Sequence, residues 1–530
     1  MGATYNLEIP VFDFKGIKRI EIPKTNSDFV DTDAALVTIK KYLPRILATH
    51  KTNADKEGFL YQYMLGLQDI YKKERLYQKD SENNNQIVEN HAFRQVNFKV
   101  GFLTGEKRDY TYKADSQSND LTYLDRYFTD SDFFAKDKDL KEWIYSTGIG
   151  VTYTKIRTDI IVPDGVDETT GNVRYKFAGE EDGFDITTQA PFEFSVLEPT
   201  HNFVVYSSGM NKEPLFSVSI AEVDIGEGDE IDLRKQIRVE TKYAYYETKS
   251  DFNFIQIDDL VKINNKVIEF LPMVEHSSNS SRLGLVELNR DLFNSVNTLI
   301  SSVSDMIVDN ANVILVFKNT DISKDDVLDM KKAGAVIIRD SQQSKQNSVA
   351  DLDTIKVEIN YEGLNTYYEQ RISQMYDIAG VPLASGQVTS GGDTGQARLL
   401  GGGWNNAYTI INNDITTLLK GDYAVLKQIL FICKQIPNNP INSLSASQID
   451  IKYRINQNDN FLVKAQGIAQ LAGVNFPKDE IVKASGLFSD TNAVATKWQA
   501  EIDKISEKNQ ENVDKSTKNV DNSNGNNSQE

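Results

Sequence analysis

Residues 285–310 read LVELNRDLFNSVNTLISSVSDMIVDN. Apolar side chains recur there at steps of three and four residues, which predicts one face of a helix; they are Leu288, Leu292, Val296, Leu299, Val303 and Met306. The opposite face is polar and carries Arg290, Asn294, Asn297, Ser301 and Asp305. The apolar stripe is narrow, so this helix should pack against similar helices. Taken alone, such a stripe favours the core of an ordinary single domain.

The elements after this helix make an unusual series. The patterns predict a small αβ insertion, a returning helix over 361–380, a glycine-rich loop and a long helix over Asn405–Cys433. The insertion has an acidic helix at Ser323–Lys332 and strands at Val313–Phe317, Ala335–Arg339 and Ile355–Ile359. The first helix and its return should be antiparallel, with the insertion at their tip. Such a spike buries little surface unless several copies pack side by side, as in a ring.

The loop over residues 380–403 contains eight of the chain's 31 glycines. A loop of this length inside a compact protein is normally functional or disordered. A phosphate-binding role fails on detail, because Gly391 and Gly395 are not followed by the Lys-Ser or Lys-Thr of a nucleotide loop. We therefore interpret the loop as a mobile element held between rigid helices.

The remaining chain mixes helical and strand patterns, which predicts an α+β fold. Helices are expected over 54–79, over 87–103 and around Trp143, followed by a strand-rich block from Val151 to about Phe270. A strand at Ile449–Ile455 and three short helices follow the long helix. The polar end, Lys508–Glu530, is expected to be disordered.

The composition narrows the classes of function. The formal net charge of −19 argues against tight, static DNA binding, although not against a surface past which DNA moves. A membrane span and a secretory signal are not expected. The single cysteine, Cys433, excludes a cysteine-based zinc site, and the four histidines are scattered along the chain. No catalytic arrangement, metal site or cofactor motif stands out, so we do not expect an enzyme.

The series of elements resembles the portal protein of tailed double-stranded DNA bacteriophages, of the type common in phages of Gram-positive hosts. The resemblance runs from about Phe59 to Trp498, and its strongest part covers Leu271–Glu275, Leu285–Asn310 and Asn312–Phe317. Weaker similarities lie at Tyr63–Ile70, Asn84–Glu106, Glu142–Gly148, Asp377–Pro382 and Asp393–Arg398. The chain departs from the family pattern at Gln396 and at the additional glycines Gly401–Gly403.

The resemblance implies a portal fold assembled as a ring of about twelve copies at one capsid vertex. Double-stranded DNA would pass through the axial channel, driven by a separate terminase. The implied partners also include the major capsid protein, a scaffold protein and a head-completion adaptor. The protein would belong to the virion and assemble in the host cytoplasm.

The resemblance also implies a division of the chain. It comprises an N-terminal segment (1–50), a wing (51–284), a first stem helix (285–310), a clip (311–360), a second stem helix (361–380), a tunnel loop (381–403), a long wing helix (404–435), a crown (436–505) and a disordered tail (506–530). The polar stripe Arg290, Asn294, Asn297, Ser301 and Asp305 would face the channel. The loop residues expected near DNA are Val388, Thr389, Ser390, Gly391, Gly392, Asp393, Thr394 and Arg398.

Two other hypotheses remain at the level of sequence. The chain could be another ring-forming virion connector or a tail protein, which would differ from a portal in not recruiting terminase. It could also be an enzyme whose site the sequence does not reveal.

Overall fold

The computed structural model describes residues 12–23, 29, 31–73, 84–113, 120–166, 173–224, 233–248, 260–265, 269–311, 314–318, 323, 325, 351–355, 360–383, 404–455, 461–473, 477–478, 481–482 and 494–508. Two compact units make up the chain. Unit 1 contains Gln62–Gln95 and Leu288–Ala379. Unit 2 contains Phe12–Tyr61, Val96–Glu287 and Gly380–Glu530.

Helices and strands are both abundant, so the chain is α+β. The helices are α1 (Thr32–Leu65), α2 (His91–Thr104), α3 (Asp120–Asp130), α4 (Phe133–Thr147), α5 (Leu285–Ala311), α6 (Tyr361–Ala379), α7 (Trp404–Gln435), α8 (Phe461–Gly473) and α9 (494–508). The strands are β1 (Ile20–Ile22), β2 (Asp109–Tyr112), β3 (Gly150–Ile156), β4 (Ile161–Val166), β5 (Val173–Phe177), β6 (Phe192–Leu197), β7 (Asn202–Ser207), β8 (Pro214–Asp224), β9 (Leu233–Thr241), β10 (Ala244–Thr248), β11 (Leu260–Asn265), β12 (Met273–His276), β13 (Ile314–Lys318), β14 (Asp351–Ile355) and β15 (Ile449–Lys452).

The largest sheet of unit 2 has six strands in the order β1-β7-β8-β9-β10-β11. Strand β1 pairs with β7 in parallel, and the other neighbours are antiparallel. The first half of α1 supplies buried side chains to the same core, namely Ala35, Ile39, Leu43 and Ile46. Their spacing of three and four residues explains the helix, because it aligns them on the face toward the sheet.

The start of α1 differs from the sequence prediction, which placed a helix only from residue 54. The helix begins at Thr32 and contains Pro44 in its interior. Proline removes a backbone donor and usually ends a helix, so it hides the continuous pattern. The buried face against the sheet compensates for that loss.

A second core of unit 2 lies around the three-stranded sheet β12-β3-β6 and the pair β15-β2. Helices α3, α4 and α7 contribute to it, with Leu124, Phe133 and Ile429 among its buried side chains. The aromatic rings of Phe128 and Phe133 are 4.5 Å apart and those of Phe133 and Phe194 are also 4.5 Å apart. Helix α7 is thereby fixed along much of its length.

Unit 1 contains α5, α6 and the antiparallel pair β13-β14, in which Ile314 is opposite Ile355. The helices predicted over 285–310 and 361–380 are confirmed. The first predicted strand agrees within one residue. Of the strand predicted at 355–359, only Ile355 is described, and it is the last residue of β14; residues 356–359 lie outside the described residues. The predicted acidic helix at 323–332 and strand at 335–339 lie outside the described residues. None of the described helices combines the length and apolar character of a membrane span.

Candidate functional site

The polar stripe of α5 binds a segment of its own chain within unit 1. Toward the N-terminus of α5, Arg290 forms an ion pair with Asp69 at 2.9 Å, and Asn294 donates to the same carboxylate at 2.8 Å. The Tyr63 hydroxyl donates to the Asn294 Oδ1 at 2.7 Å. These contacts connect α5 to the short 3₁₀ turn at Asp69–Lys72 and to the end of α1.

The C-terminal part of the stripe binds residues 84–90, which form neither helix nor strand. The backbone amide of Glu89 donates to Asn297 Oδ1 and that of Ile87 donates to Ser301 Oγ, both at 2.9 Å. Side chains Asn297 and Ser301 are fully buried. Polar groups are buried this completely only when they have hydrogen-bond partners.

Asp305 ends the row of contacts. Its carboxylate accepts from the backbone and the side-chain amide of Asn85, both at 2.8 Å, and from Lys73 Nζ at 3.0 Å. Burial alone would raise the pKa of Asp305, but these hydrogen bonds outweigh it and hold the pKa below its usual value. The carboxylate therefore stays ionised as an acceptor for the segment.

The two faces of α5 are buried unequally within the single chain. On the apolar stripe Leu288 is 45 % exposed and Met306 is 38 % exposed, while Val296 is buried; packing of this stripe against neighbouring copies stays a prediction. Asn297, Ser301 and Asp305 of the polar stripe are buried instead, and Arg290 and Asn294 are half-buried. Whether any of the five faces a channel stays a prediction, because it concerns an assembly.

The loop residues predicted to approach DNA all lie outside the described part of the chain; they are Val388, Thr389, Ser390, Gly391, Gly392, Asp393, Thr394 and Arg398. Gly380, at the start of the loop, has a φ of +59°. A Cβ on Gly380 would lie 2.6 Å from Ile410 Cδ1 and 3.0 Å from Ile410 Cβ. Only glycine fits this approach to α7 without strain.

The first residue after the loop, Trp404, belongs to an aromatic cluster of unit 2. Trp404 begins α7, and its ring lies 6.0 Å from those of Phe98 and Phe102. Tyr408 lies 5.5 Å from Phe102. The residues next to both ends of the loop therefore contact rigid helices, and this cluster was not predicted from the sequence.

A buried charge cluster fixes the middle of α7. Arg108 forms ion pairs with Asp137 at 3.0 Å and with Asp422 at 2.8 Å, and Tyr453 donates to Asp422 at 2.5 Å. Burial would raise the pKa of Asp422, but Arg108, Lys141 and the Tyr453 hydroxyl more than offset it, so the pKa is well below its usual value. The cluster joins α4, α7 and the residue after β15 by interactions that lose much of their strength if one partner is removed.

Two of the four histidines, His50 and His276, are buried. His276 contacts Thr152 at 3.0 Å and burial lowers its pKa to about 3, while His50 contacts the Thr200 carbonyl at 2.9 Å. Within the described residues, no group of three or more His, Cys, Asp or Glu side chains could hold a metal ion. The buried carboxylates Asp137 and Asp422 are engaged in ion pairs. These buried polar contacts connect helices and strands to one another.

Comparison with known proteins gives a family. Residues 43–508 match the model of phage portal proteins of the SPP1 Gp6-like type. One solved structure that is similar is the neck of a native GTA particle computed with C12 symmetry, with 14% sequence identity and a TM-score of 0.35. The similarity covers 75% of this chain and 89% of that chain. No curated protein matches the chain.

Proposed function

The chain belongs to the SPP1 Gp6-like family of phage portal proteins, the oligomeric head-to-tail connectors of virions, and we propose that about twelve copies of it form a ring at one capsid vertex. Double-stranded DNA is packaged through the axial channel of this ring by a terminase and later leaves through it. The observation that carries the proposal is the family match, which extends over residues 43–508 and so includes most of the chain.

We assign the parts of the ring as follows: N-terminal segment 1–50, wing 51–284, stem helices 285–310 and 361–380, clip 311–360, tunnel loop 381–403, long wing helix 404–435, crown 436–505 and tail 506–530. The tail was expected to be disordered, but its first three residues end helix α9. The grouping of α5, α6, β13 and β14 in unit 1 supports a stem that continues into the clip. In the proposal the clip binds the terminase and later a head-completion adaptor. The major capsid protein and a scaffold protein are the other proposed partners, with assembly in the host cytoplasm.

The proposed DNA contacts are weak and polar. The loop residues Val388, Thr389, Ser390, Asp393 and Thr394 approach the DNA backbone, and Arg398 is the nearest cation. Proteins bind phosphate mainly through Lys and Arg side chains. A polar loop in a chain whose net charge is −19 would therefore hold DNA weakly and let it slide. Of the stem stripe, Arg290 and Asn294 are half-buried and keep some exposed surface for a channel, whereas Asn297, Ser301 and Asp305 are buried within the chain.

A portal is a structural component, and in this proposal the terminase hydrolyses ATP. In the described part of unit 2 the buried acids Asp137 and Asp422 form ion pairs with Arg108, which supports a passive role. The wing would then be a rigid frame for the loop.

The glycines of the loop offer a direct test. Replacing Gly391 and Gly392 with proline restricts the backbone conformations of the proposed tunnel loop. We expect rings of normal mass that package DNA much more slowly in a terminase-driven assay with scaffolded capsids. Changing Asn405 to Ala, at the exposed start of α7, is the matched control and should package normally. Normal packaging by the proline variant would show that loop mobility is not needed.

A further inference from the structure

We call residues 84–90 the strap. The spacing of its backbone amides matches the spacing of the side chains in the α5 polar stripe. In an extended chain every second amide points to the same side, about 6.6 Å apart. In a helix every fourth residue lies on the same face, about 6.0 Å apart along the axis. The amides of Asn85, Ile87 and Glu89 meet the side chains of Asp305, Ser301 and Asn297 in this antiparallel register.

The other side of the strap is fixed as well. Side chains Asn84 and Gln86 donate to the Lys73 and Tyr71 carbonyls at 2.9 and 3.0 Å. At its end, Asn90 Oδ1 accepts from the Phe93 amide at 3.1 Å, which caps the start of α2. Asn90 also donates to the Met64 carbonyl at 2.9 Å. The strap is therefore held along both edges and at its end.

The strap also reaches α6. Glu89 accepts a hydrogen bond from the Tyr368 hydroxyl at 2.8 Å, and it contacts His91 at 2.9 Å. His91 in turn contacts the Tyr376 hydroxyl at 3.0 Å. One continuous segment thus binds α5 through backbone amides and α6 through the Glu89 and His91 side chains.

Direct polar contacts also join α5 and α6. Asn289 donates to the Met375 carbonyl at 2.9 Å, near one end of both helices. Further along, the hydroxyls of Ser295 and Tyr367 are 3.5 Å apart and exposed, which is a weak contact. Close to these positions on α6, the Tyr368 and Tyr376 hydroxyls contact Glu89 of the strap and the adjacent His91. Glu89 thus bridges the two helices, through its backbone amide to Asn297 and through its carboxylate to Tyr368.

We propose that the strap is a brace that positions α5 relative to α6, and that Asn297, Ser301 and Asp305 are its positioning residues. These three residues of the polar stripe accept hydrogen bonds from backbone amides of the strap. The strap acts within one chain, so its presence does not depend on a ring or on DNA.

Amide hydrogen exchange of the full-length protein tests this brace. In the Ser301→Ala variant the Ile87 amide loses its acceptor, and we expect its exchange to become about tenfold faster. Exchange in the α6 segment Tyr361–Ala379 should also accelerate, while exchange in α7 stays unchanged. Thr298→Ala, an exposed position on α5, is the matched control and should change neither strap nor α6.

A conservative pair separates positioning from general damage. Asp305→Asn keeps an oxygen acceptor for the Asn85 amide, whereas Asp305→Leu removes it. The brace predicts near-normal α6 exchange in the first variant and faster exchange of strap and α6 in the second. If exchange becomes faster in the strap but not in α6, the strap only covers α5. If the exchange rate of the strap does not change, these contacts are not formed. Either result overturns the proposal.

Discussion

Gly421, in the middle of α7, makes room for a close contact. A Cβ there would lie 2.3 Å from Nδ1 and 2.7 Å from Cε1 of the buried His276 ring. The missing side chain lets β12 approach α7.

The Gly421→Ala variant should therefore reverse the usual effect of alanine in a helix. Replacing glycine by alanine in an open helical position stabilises by roughly 0.5–1 kcal/mol. At position 421 the ring must move, and we expect destabilisation of about 1–3 kcal/mol. Gly58→Ala in α1, where a Cβ meets nothing within 4 Å, should stabilise. Denaturant unfolding of the three proteins measures this, and a stabilised Gly421→Ala protein would contradict the close contact.

Glu57 on α1 is buried and should make stability depend on pH. Burial raises its pKa to about 8, with Arg282 and Lys56 only partly opposing the effect. Between pH 4.5 and about 8 the folded chain keeps a proton on Glu57 that the unfolded chain releases. The stability that protonated Glu57 contributes is thus fully present below the pKa of Glu57 in the unfolded chain. It is lost as pH rises through the pKa of Glu57 in the folded chain, at up to roughly 1.4 kcal/mol per pH unit.

The Glu57→Gln variant imitates the protonated side chain and should lose this dependence. We expect the variant and the natural chain to differ little near pH 5, and the variant to be the more stable protein near pH 8. Denaturant midpoints at the two pH values measure the difference. Parallel pH profiles for the two proteins would show that Glu57 is ionised in the folded chain.

At the scale of elements, the first half of α1 is a structural part of the six-stranded sheet's core. Leu43 is fully buried against that sheet, whereas Val37 on the same helix is 69% exposed. We expect Leu43→Ala to cost about 2–5 kcal/mol, because it leaves a cavity. Val37→Ala should stay within about 0.5 kcal/mol. Equal, small effects in thermal and denaturant unfolding would mean that α1 is not docked there.

The helices show how far sequence reasoning reaches. The predicted bounds of α5 and α7 agree with the structure to within two residues, because a long apolar periodicity is a strong signal of a helix in the sequence itself. The first half of α1 was missed because Pro44 interrupts the helical signal. The strand expected at 449–455 ends at Lys452, as strand ends depend on pairing partners that a local pattern does not contain.

The candidate site was predictable only in part. The polar stripe of α5 was identified from the spacing of Asn297, Ser301 and Asp305, but its partner was not. A polar face has the same sequence whether it meets water, DNA or a backbone amide. The strap binds through amides, which every residue has, so only the Asn84–Gln86 run could have indicated it.

At the scale of the whole molecule, unit 1 exposes many large apolar side chains. Leu288, Met306, Ile307 and Val308 on α5 and Tyr361, Tyr367 and Ile378 on α6 are all more than a third exposed. Exposed apolar patches of this kind mark surfaces that are covered in an assembly. They agree with an oligomeric connector, and the ring proposed here would cover them with neighbouring copies.

The central claim is that the chain assembles into a portal ring, and the native mass of the purified protein tests it most directly. Electron microscopy of the same sample should accompany the mass measurement. We predict a particle of about 720 kDa, twelve times the 59.8 kDa chain, with an axial hole. If the chain stays a compact monomer both alone and with scaffold protein present, the account is contradicted.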